Sequence, residues 1–310
     1  MIKAKWLGVL FFTFLILFIY VFIPNEINNS YQVIIPQNQT GISRKIVQLN
    51  LWSQWMPYKT DQTHQFELPS GKLLLSESYI ASVKGLYTYS KDTVSISFTT
   101  EKTGKDSTFF SVETFMDNKH LSPIKRIENY WQSKNLAFEI KKMTAAAQNY
   151  FGTTKGVYGF DITFEKVKDS ILITTQQNLS DTPNNYQIYQ MIDLLKKYIQ
   201  KNNGAIVGDP MVNITNLGPK NIFLQVGLPI KNTIPEASNF VIKKMVLGNI
   251  LSTKTTGDNE MVYKAFKETE NFVHDHSKES PAMPFIVYNT NRMLQKDSSK
   301  WQATIYYPIY

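Results

Sequence analysis

The segment Trp301-Gln-Ala-Thr-Ile-Tyr-Tyr-Pro308-Ile309, close to the end of the chain, decides the fold because an earlier segment matches it. Val226-Gly-Leu-Pro229-Ile230 aligns with its last five positions at an offset of about 79 residues. Ile171-Leu-Ile-Thr-Thr175 aligns with Ile250-Leu-Ser-Thr-Lys254 at the same offset. Two pairs of segments at one offset indicate an internal duplication.

Between the matched segments, each copy carries the same series of elements. An amphipathic helix is predicted over 184–202 and again over 259–276, and a strand follows each helix. The sequence therefore predicts two strand–helix–strand–strand (βαββ) repeats, over 156–231 and 240–310. Two such repeats side by side would form one sheet covered by two helices, which is an α+β arrangement.

Residues 36–155 are predicted to form a separate module with antiparallel strands. An early helix over 43–52 ends in Trp52-Ser-Gln-Trp55-Met-Pro57, and a series of strand-like stretches follows. After Pro123 the periodicity becomes helical. Trp52 and Trp55 either close the early helix against its sheet or line the mouth of a lipid-sized cavity.

The most apolar segment, WLGVLFFTFLILFIYVFI over 6–23, contains no charged residue. A helix of about 18 residues approaches the thickness of the hydrocarbon core of a bilayer, and Lys3 and Lys5 precede the segment. The sequence therefore predicts a cytoplasmic N-terminus over 1–5, an uncleaved transmembrane helix over 6–23 and a linker over 24–35. This places the protein in the inner (cytoplasmic) membrane, with its later modules outside the cytoplasm. The alternative, a cleaved signal peptide, requires a shorter apolar core followed by small residues.

The composition excludes several classes of site. The absence of cysteine excludes a disulfide scaffold, a thiolate metal site and a cysteine nucleophile. His274 and His276 are two residues apart on a predicted helix and cannot both face one ion, so no metal and no cofactor are predicted. The net charge of +8 is spread over isolated doublets such as Lys243-Lys244, and no helix-turn-helix segment is found, so no nucleic-acid partner is predicted.

The duplication, its terminal Trp301-x-x-x-Ile-Tyr-x-Pro308-Ile309 and the internal Met283-Pro-Phe-Ile-Val-Tyr288 together resemble the gyrase-inhibitor-like (GyrI-like) small-molecule-binding domain. That domain also forms the effector-binding half of some AraC-type and MerR-type regulators. Residues 36–155 are similar, more weakly, to the START/birch-allergen-like superfamily, also called SRPBCC or polyketide-cyclase-like. Bacterial chains exist that join a membrane anchor to these two modules, and this sequence resembles them.

The gyrase-inhibitor-like resemblance implies a cleft between the repeats, lined by aromatic side chains, in which an acidic residue neutralises a cationic aromatic ligand. Here Thr304 stands where the acid would be, and its counterpart in the first repeat is Gln225. Neither side chain can hold a negative charge or act as a general base. Tyr288, Trp301 and Tyr306 remain candidate cleft residues, and their alternative role is ordinary packing in the sheet.

Together these patterns favour a membrane-anchored protein that binds a small hydrophobic or amphiphilic molecule between its repeats. The candidate ligand-binding residues are Gln225, Tyr288, Trp301, Thr304 and Tyr306. No catalytic residue is predicted, because the acid of the family pattern is replaced. A cyclase- or hydrolase-type enzyme and a non-catalytic envelope scaffold are the alternatives, and the sequence leaves the ligand and the oligomeric state open.

Overall fold

In the computed structural model, which describes residues 2–62, 64–90, 92–168 and 170–310, the chain divides into two units, Met1–Val157 and Tyr158–Tyr310. Each unit has its own antiparallel sheet and its own helices. The architecture of both units is therefore α+β.

The first unit combines a seven-stranded sheet with one long helix. Its elements are α1 (Ile2–Phe22), β1 (Glu26–Ile35), α2 (Gln39–Ile46), a 3-10 helix (Leu49–Gln54), β2 (Lys59–Gln62), β3 (Gln65–Leu68), β4 (Gly71–Ser78), β5 (Ser82–Tyr89), β6 (Asp92–Gly104), β7 (Ser107–Asp117), α3 (Pro123–Phe151) and α4 (Thr154–Tyr158). The strand order is β1-β7-β6-β5-β4-β3-β2, so each strand from β2 onward pairs with the next one along the chain.

The helix α1 is the segment for which the sequence predicted a transmembrane span over 6–23. Within the residues that the structure describes, no helix is both long and apolar enough to cross a membrane. The structure thus contradicts the predicted transmembrane helix and the inner-membrane localisation that depended on it. The side chains of 1–5, on which the predicted cytoplasmic end rested, lie outside the description.

Of residues 24–35, predicted as a linker, Glu26–Ile35 instead form β1. Exposure alternates along this strand, from the buried Ile27 to the buried Ile35, and the strand pairs with β7 over its whole length without a register shift. Its alternate positions are mostly Asn, Ser and Gln, because one face of the strand is wet. This polar face gave the segment the composition of a connector.

The helix predicted over 43–52 is two shorter elements, α2 and the 3-10 helix. The indole N–H of Trp52 donates to the backbone oxygen of Ile46 at 2.6 Å, which turns the chain back onto the end of α2. Trp52 and Trp55 are both buried, with ring centroids 4.7 Å apart, and Trp52 also meets Phe98 edge-on at 4.7 Å. The two tryptophans therefore fill the core rather than line an open mouth.

The second unit is an eight-stranded sheet with two helices. Its elements are β8 (Ile162–Lys166), β9 (Ile171–Leu179), α5 (Asn185–Lys201), β10 (Met211–Gly218), β11 (Asn221–Ile230), β12 (Val241–Lys244), β13 (Asn249–Thr256), α6 (Asn259–Asp275), β14 (Phe285–Tyr288), a second 3-10 helix (Ser298–Lys300) and β15 (Gln302–Ile309). The order β12-β9-β11-β10-β14-β15-β13-β8 places the two βαββ repeats side by side, with β10 and β14 at their junction.

The helices of this unit begin at well-formed caps. Asn184 and Gln187 form a reciprocal capping box at the start of α5, and Asp258 accepts from the backbone N–H of Met261 at the start of α6. The buried side of α5 packs on β9, β10 and β11 in one hydrophobic cluster. Helix packing thus covers one face of the sheet and leaves the other free.

The ends of the sheet are joined by a feature that we call the seam. Residues 162–166 pair antiparallel with 249–253, and residues 171–174 pair antiparallel with 241–244, in one common register from Thr253↔Ile162 to Val241↔Thr174. Between these ladders, the N–H of Met245 donates to the oxygen of Ser170 at 3.0 Å. The N–H of Val167 also donates to the oxygen of Gly248 at 3.0 Å, so the two ends of the sheet meet and the sheet curls into a ring-like wall.

Candidate functional site

The five predicted ligand-binding residues are divided between the two faces of the second sheet. Thr304 pairs with Val287, whereas Tyr288 belongs to the hydrophobic cluster under the helices. Neighbouring residues in a strand point to opposite faces, so Val287 faces away from the helices while Tyr288 faces them. Thr304, which pairs with Val287, and Tyr306, two residues further on, therefore lie on the helix-free face. Gln225 also faces the helix-free side, where it lines a cavity.

We call that cavity the inner cavity, because it lies on the helix-free face beside the seam. Its volume is about 300 Å³. Most of its wall is apolar and comes from both repeats and from the seam, including Leu172, Met211, Met245, Val246, Leu247 and Met283. Polar groups on its floor come from Thr174, Asn213 and Gln225.

The charged side chains in the described lining of the inner cavity are both positive. Lys243 and Lys244, on β12, line it and are exposed, and its described lining contains no Asp or Glu. Val246 and Leu247 next to them are 66% and 65% exposed, which leaves an apolar lip at the opening. Apolar side chains exposed together at a cavity mouth are typical of ligand sites. The acidic residue that the gyrase-inhibitor-like resemblance implies for a cationic ligand has no counterpart in this described lining.

Tyr306 and Thr304 lie next to each other on the helix-free face but do not line the inner cavity. Tyr306 stacks on Phe285, with ring centroids 5.3 Å apart, and Phe285 is part of the cavity wall. Burial raises the pKa of Tyr306, and the negative charge of Glu165 on β8 adds to this effect. Thr304 is buried and donates to Asn289 at 2.8 Å. Tyr306 thus supports the cavity wall, and Thr304 holds a loop.

A second cavity, which we call the helix cavity, lies on the opposite face of the sheet between α5 and α6. It measures about 400 Å³. Its wall is largely apolar, with side chains from both helices and from the central strands: Ile188, Val212, Ile214, Val262, Phe266 and Ile286. Tyr288 and Asn259 complete one end of this wall.

Behind that end lies Arg292, which the sequence interpretation did not single out. Its guanidinium carbon is 3.6 Å from the centre of the Tyr288 ring and 5.2 Å from that of Trp301. The indole N–H of Trp301 donates to the oxygen of Gln295 at 2.7 Å, which fixes the ring. The structure therefore brings Tyr288 and Trp301 together around an arginine. No sequence motif marks Arg292, which lies in the loop after β14.

A cyclase- or hydrolase-type enzyme would be favoured by a cleft that holds an acidic residue beside a tyrosine. The described lining of the inner cavity contains no acidic residue, but such a pair occurs in the first unit. The Tyr58 hydroxyl donates to the buried carboxylate of Glu139, and Lys142 lies 3.6 Å from the same carboxylate. Burial raises the pKa of Tyr58, and the contact with Glu139 raises it further. The protonated Tyr58 phenol, bound to the ion-paired Glu139 carboxylate, links α3 to the chain before β2. This contact has a structural role.

Among the described residues, no group of three or more His, Asp or Glu side chains is placed to hold a metal ion. His276 is buried, its Nδ1 lies 2.8 Å from the backbone oxygen of Phe272, and its ring stacks on the Phe272 ring at 3.9 Å. His276 is thus engaged in the packing at the end of α6.

Comparison with known proteins gives fold neighbours only. No family model matches the chain, and no curated protein matches it. Among solved structures, the C-terminal domain of EcmrR is similar over 49% of this chain and 98% of its own, with 11% identity and a TM-score of 0.43. EcmrR in a complex with DNA matches over 60% of this chain and 71% of its own, with 12% identity and a TM-score of 0.45.

Two further neighbours differ in what they bind or do. SAV2435 bound to tetraphenylphosphonium is similar over 48% of this chain and 94% of its own, with 13% identity and a TM-score of 0.32. The Zhui aromatase/cyclase from a Streptomyces species covers 40% of this chain and 94% of its own, with 6% identity and a TM-score of 0.27. The ligands and the activity named for these structures belong to those proteins. The absence of a nucleic-acid partner stays a prediction.

Proposed function

We propose that this protein binds a small apolar molecule, neutral or anionic, in the inner cavity of its second unit. The observation that carries the proposal is an apolar cavity of about 300 Å³ with two exposed lysines and no acidic side chain in its described lining. A ligand cation would meet Lys243 and Lys244 without a counter-charge, whereas an anionic group would be attracted to them.

The size of the cavity limits the affinity. Its volume is at the lower end of the range for small-molecule sites, about 300–1,000 Å³. A ligand that buries about 250 Å² of apolar surface gains about 6 kcal/mol, which corresponds to a dissociation constant of tens of micromolar. We therefore expect binding in the micromolar range rather than the nanomolar range.

The test uses two fluorescent probes that share one skeleton, neutral N-phenyl-1-naphthylamine and anionic 1-anilinonaphthalene-8-sulfonate, added to the full chain. Met283→Trp fills the mouth of the inner cavity, and Met293→Trp is the matched control, because the two methionines are 49% and 48% exposed and only Met283 lines the cavity. We expect binding of both probes to weaken by about tenfold in Met283→Trp and to be unchanged in Met293→Trp. Equal binding by the two variants, or no binding at all, contradicts the proposal.

The charge preference is tested separately. The double variant Lys243→Ala/Lys244→Ala should weaken the anionic probe and leave the neutral probe unchanged, whereas Lys231→Ala, at an exposed lysine outside the cavity lining, should change neither. Tetraphenylphosphonium, a cation, should not displace either probe. Displacement of both probes by this cation at lower concentration than by an aromatic sulfonate would overturn the assignment of the ligand class.

A further inference from the structure

The helix cavity ends at a buried cation whose charge is not met by the protein. Arg292 is only 4% exposed, and its Nη1 donates to the side-chain oxygen of Asn259 at 2.6 Å. Its Nε and Nη2 atoms are buried without a hydrogen-bond partner in the described residues. Burial lowers the pKa of Arg292; the phenols of Tyr288 and Tyr189 oppose this shift, and no carboxylate is among its causes.

Another buried arginine in the chain shows what a structural role looks like. The Arg126 side chain is fully buried, and its guanidinium donates to the backbone oxygens of Ile23 and Asn118 and to the side chain of Asn25. Three acceptors thus surround Arg126, whereas one neutral amide faces Arg292. Buried ionised groups are normally paired, so a guanidinium with two free donors is unusual.

The position of Arg292 connects these free donors to the helix cavity. Tyr288, which stacks on the guanidinium, and Asn259, which accepts from it, both line that cavity. The described lining of the helix cavity contains no Lys, Arg, Asp or Glu. Arg292 thus places a positive charge at one end of an apolar space of about 400 Å³ whose described lining is uncharged.

We propose that the helix cavity is a second ligand site, which binds an amphiphilic monocarboxylic acid with its carboxylate on Arg292 and its apolar body between α5 and α6. The carboxylate replaces the Asn259 amide at Nη1 and takes Nη2 at the same time, because the two terminal nitrogens of a guanidinium match the two oxygens of a carboxylate. Asn259 is exposed and can give way, while the rings of Tyr288 and Trp301 hold the guanidinium in place.

The test compares a fluorescent fatty acid, cis-parinaric acid, with its methyl ester, which differs only in lacking the negative charge. Full-length protein should bind the acid at least about tenfold more tightly than the ester at neutral pH. In Arg292→Met the affinity for the acid should fall to that for the ester, with the ester unaffected. Equal binding of acid and ester by the unsubstituted protein, or a preference that survives Arg292→Met, refutes the proposal.

Two further variants keep the test decisive. Asn259→Asp is isosteric and places a carboxylate of the protein on Nη1, so the preference for the acid should disappear even if Arg292→Met folds poorly. Met283→Trp, which blocks the inner cavity, should leave the binding of the acid unchanged. Loss of acid binding in Met283→Trp would place the fatty acid in the inner cavity and overturn the second site, while the function proposed for the inner cavity would stand.

Discussion

Asn259→Asp should stabilise the second unit, because it supplies the missing counter-charge of Arg292. The substitution keeps the shape of the side chain and turns the contact of 2.6 Å with Nη1 into an ion pair. Two charges about 4 Å apart attract by about 4 kcal/mol at an effective dielectric constant of about 20. Because Asn259 is exposed, solvent and salt reduce this to about 1–2 kcal/mol. The first position of α6 adds about 0.3–1 kcal/mol for a negative charge at a helix N-terminus.

The assay is a double-mutant cycle with Arg292→Met, followed by thermal and urea unfolding of the full chain. The cycle separates the pair interaction from the helix-end effect, because the latter persists when Arg292 is replaced. We expect a coupling free energy of about 1–2 kcal/mol and a rise of about 2–8 °C in the melting temperature of the second unit.

The pH dependence gives an independent check. Arg292 lowers the pKa of the introduced carboxyl below its value of about 3.9 in the unfolded chain. A lowered pKa adds stability that is present above about pH 4 and is lost as the pH falls through the lowered value. A coupling below about 0.5 kcal/mol, or a gain that stays constant down to about pH 2, would refute the picture of an uncompensated guanidinium.

Three further predictions concern the first unit and the seam. Trp52→Ala removes a fully buried indole and should lower the free energy of unfolding by about 3–5 kcal/mol, whereas Trp131→Ala, at a residue 63% exposed, should change it by less than about 0.5 kcal/mol in the same urea titration. A Cβ at Gly156 would lie 1.8 Å from a carbonyl oxygen of α3, so Gly156→Ala should lower the free energy of unfolding by more than about 2 kcal/mol. Gly248→Ala, in the seam, is the control, because a Cβ there has nothing within 4 Å and the free energy of unfolding should hardly change. A clear loss of stability in Gly248→Ala would contradict the open space at that position. Burial raises the pKa of Tyr89 to about 12, compared with about 10 in the unfolded chain. The stability that this shift contributes is full below about pH 10 and is lost as the pH rises through about 12. If Tyr89→Phe does not reduce the fall in stability over this pH range, the prediction is wrong.

Local patterns predicted the elements that depend on local physics. The helices expected over 184–202 and 259–276 are Asn185–Lys201 and Asn259–Asp275, because amphipathic spacing and capping residues are both readable within one turn. The strand-like stretches before Pro123 also occur as strands, usually a few residues longer at their ends. Two strands were missed there: β1, whose polar face hid the alternation, and the short β2.

The parts that sequence reasoning did not find depend on contacts between distant residues. The pairing of β8 with β13 and of β12 with β9 joins segments far apart in the chain, and neither short strand carries a local signal of its partner. Four of the five candidate ligand residues came from two sequence motifs and Gln225 from the matching first repeat. Alternation along β14 and β15 put Tyr288 on one face and Thr304 and Tyr306 on the other. Arg292 became visible only through its burial and its unused donors.

The seam has a consequence for how the second unit folds. Since β8 belongs to the first repeat but pairs with β13 of the second, and β12 belongs to the second repeat but pairs with β9 of the first, neither repeat closes the wall alone. A fragment with one repeat would keep unpaired strand edges, which tend to recruit another chain. Folding must also wait for pairings between residues distant along the chain, so this unit belongs with slowly folding, high-contact-order proteins. The duplicated halves are therefore interdependent parts of one cooperative folding unit.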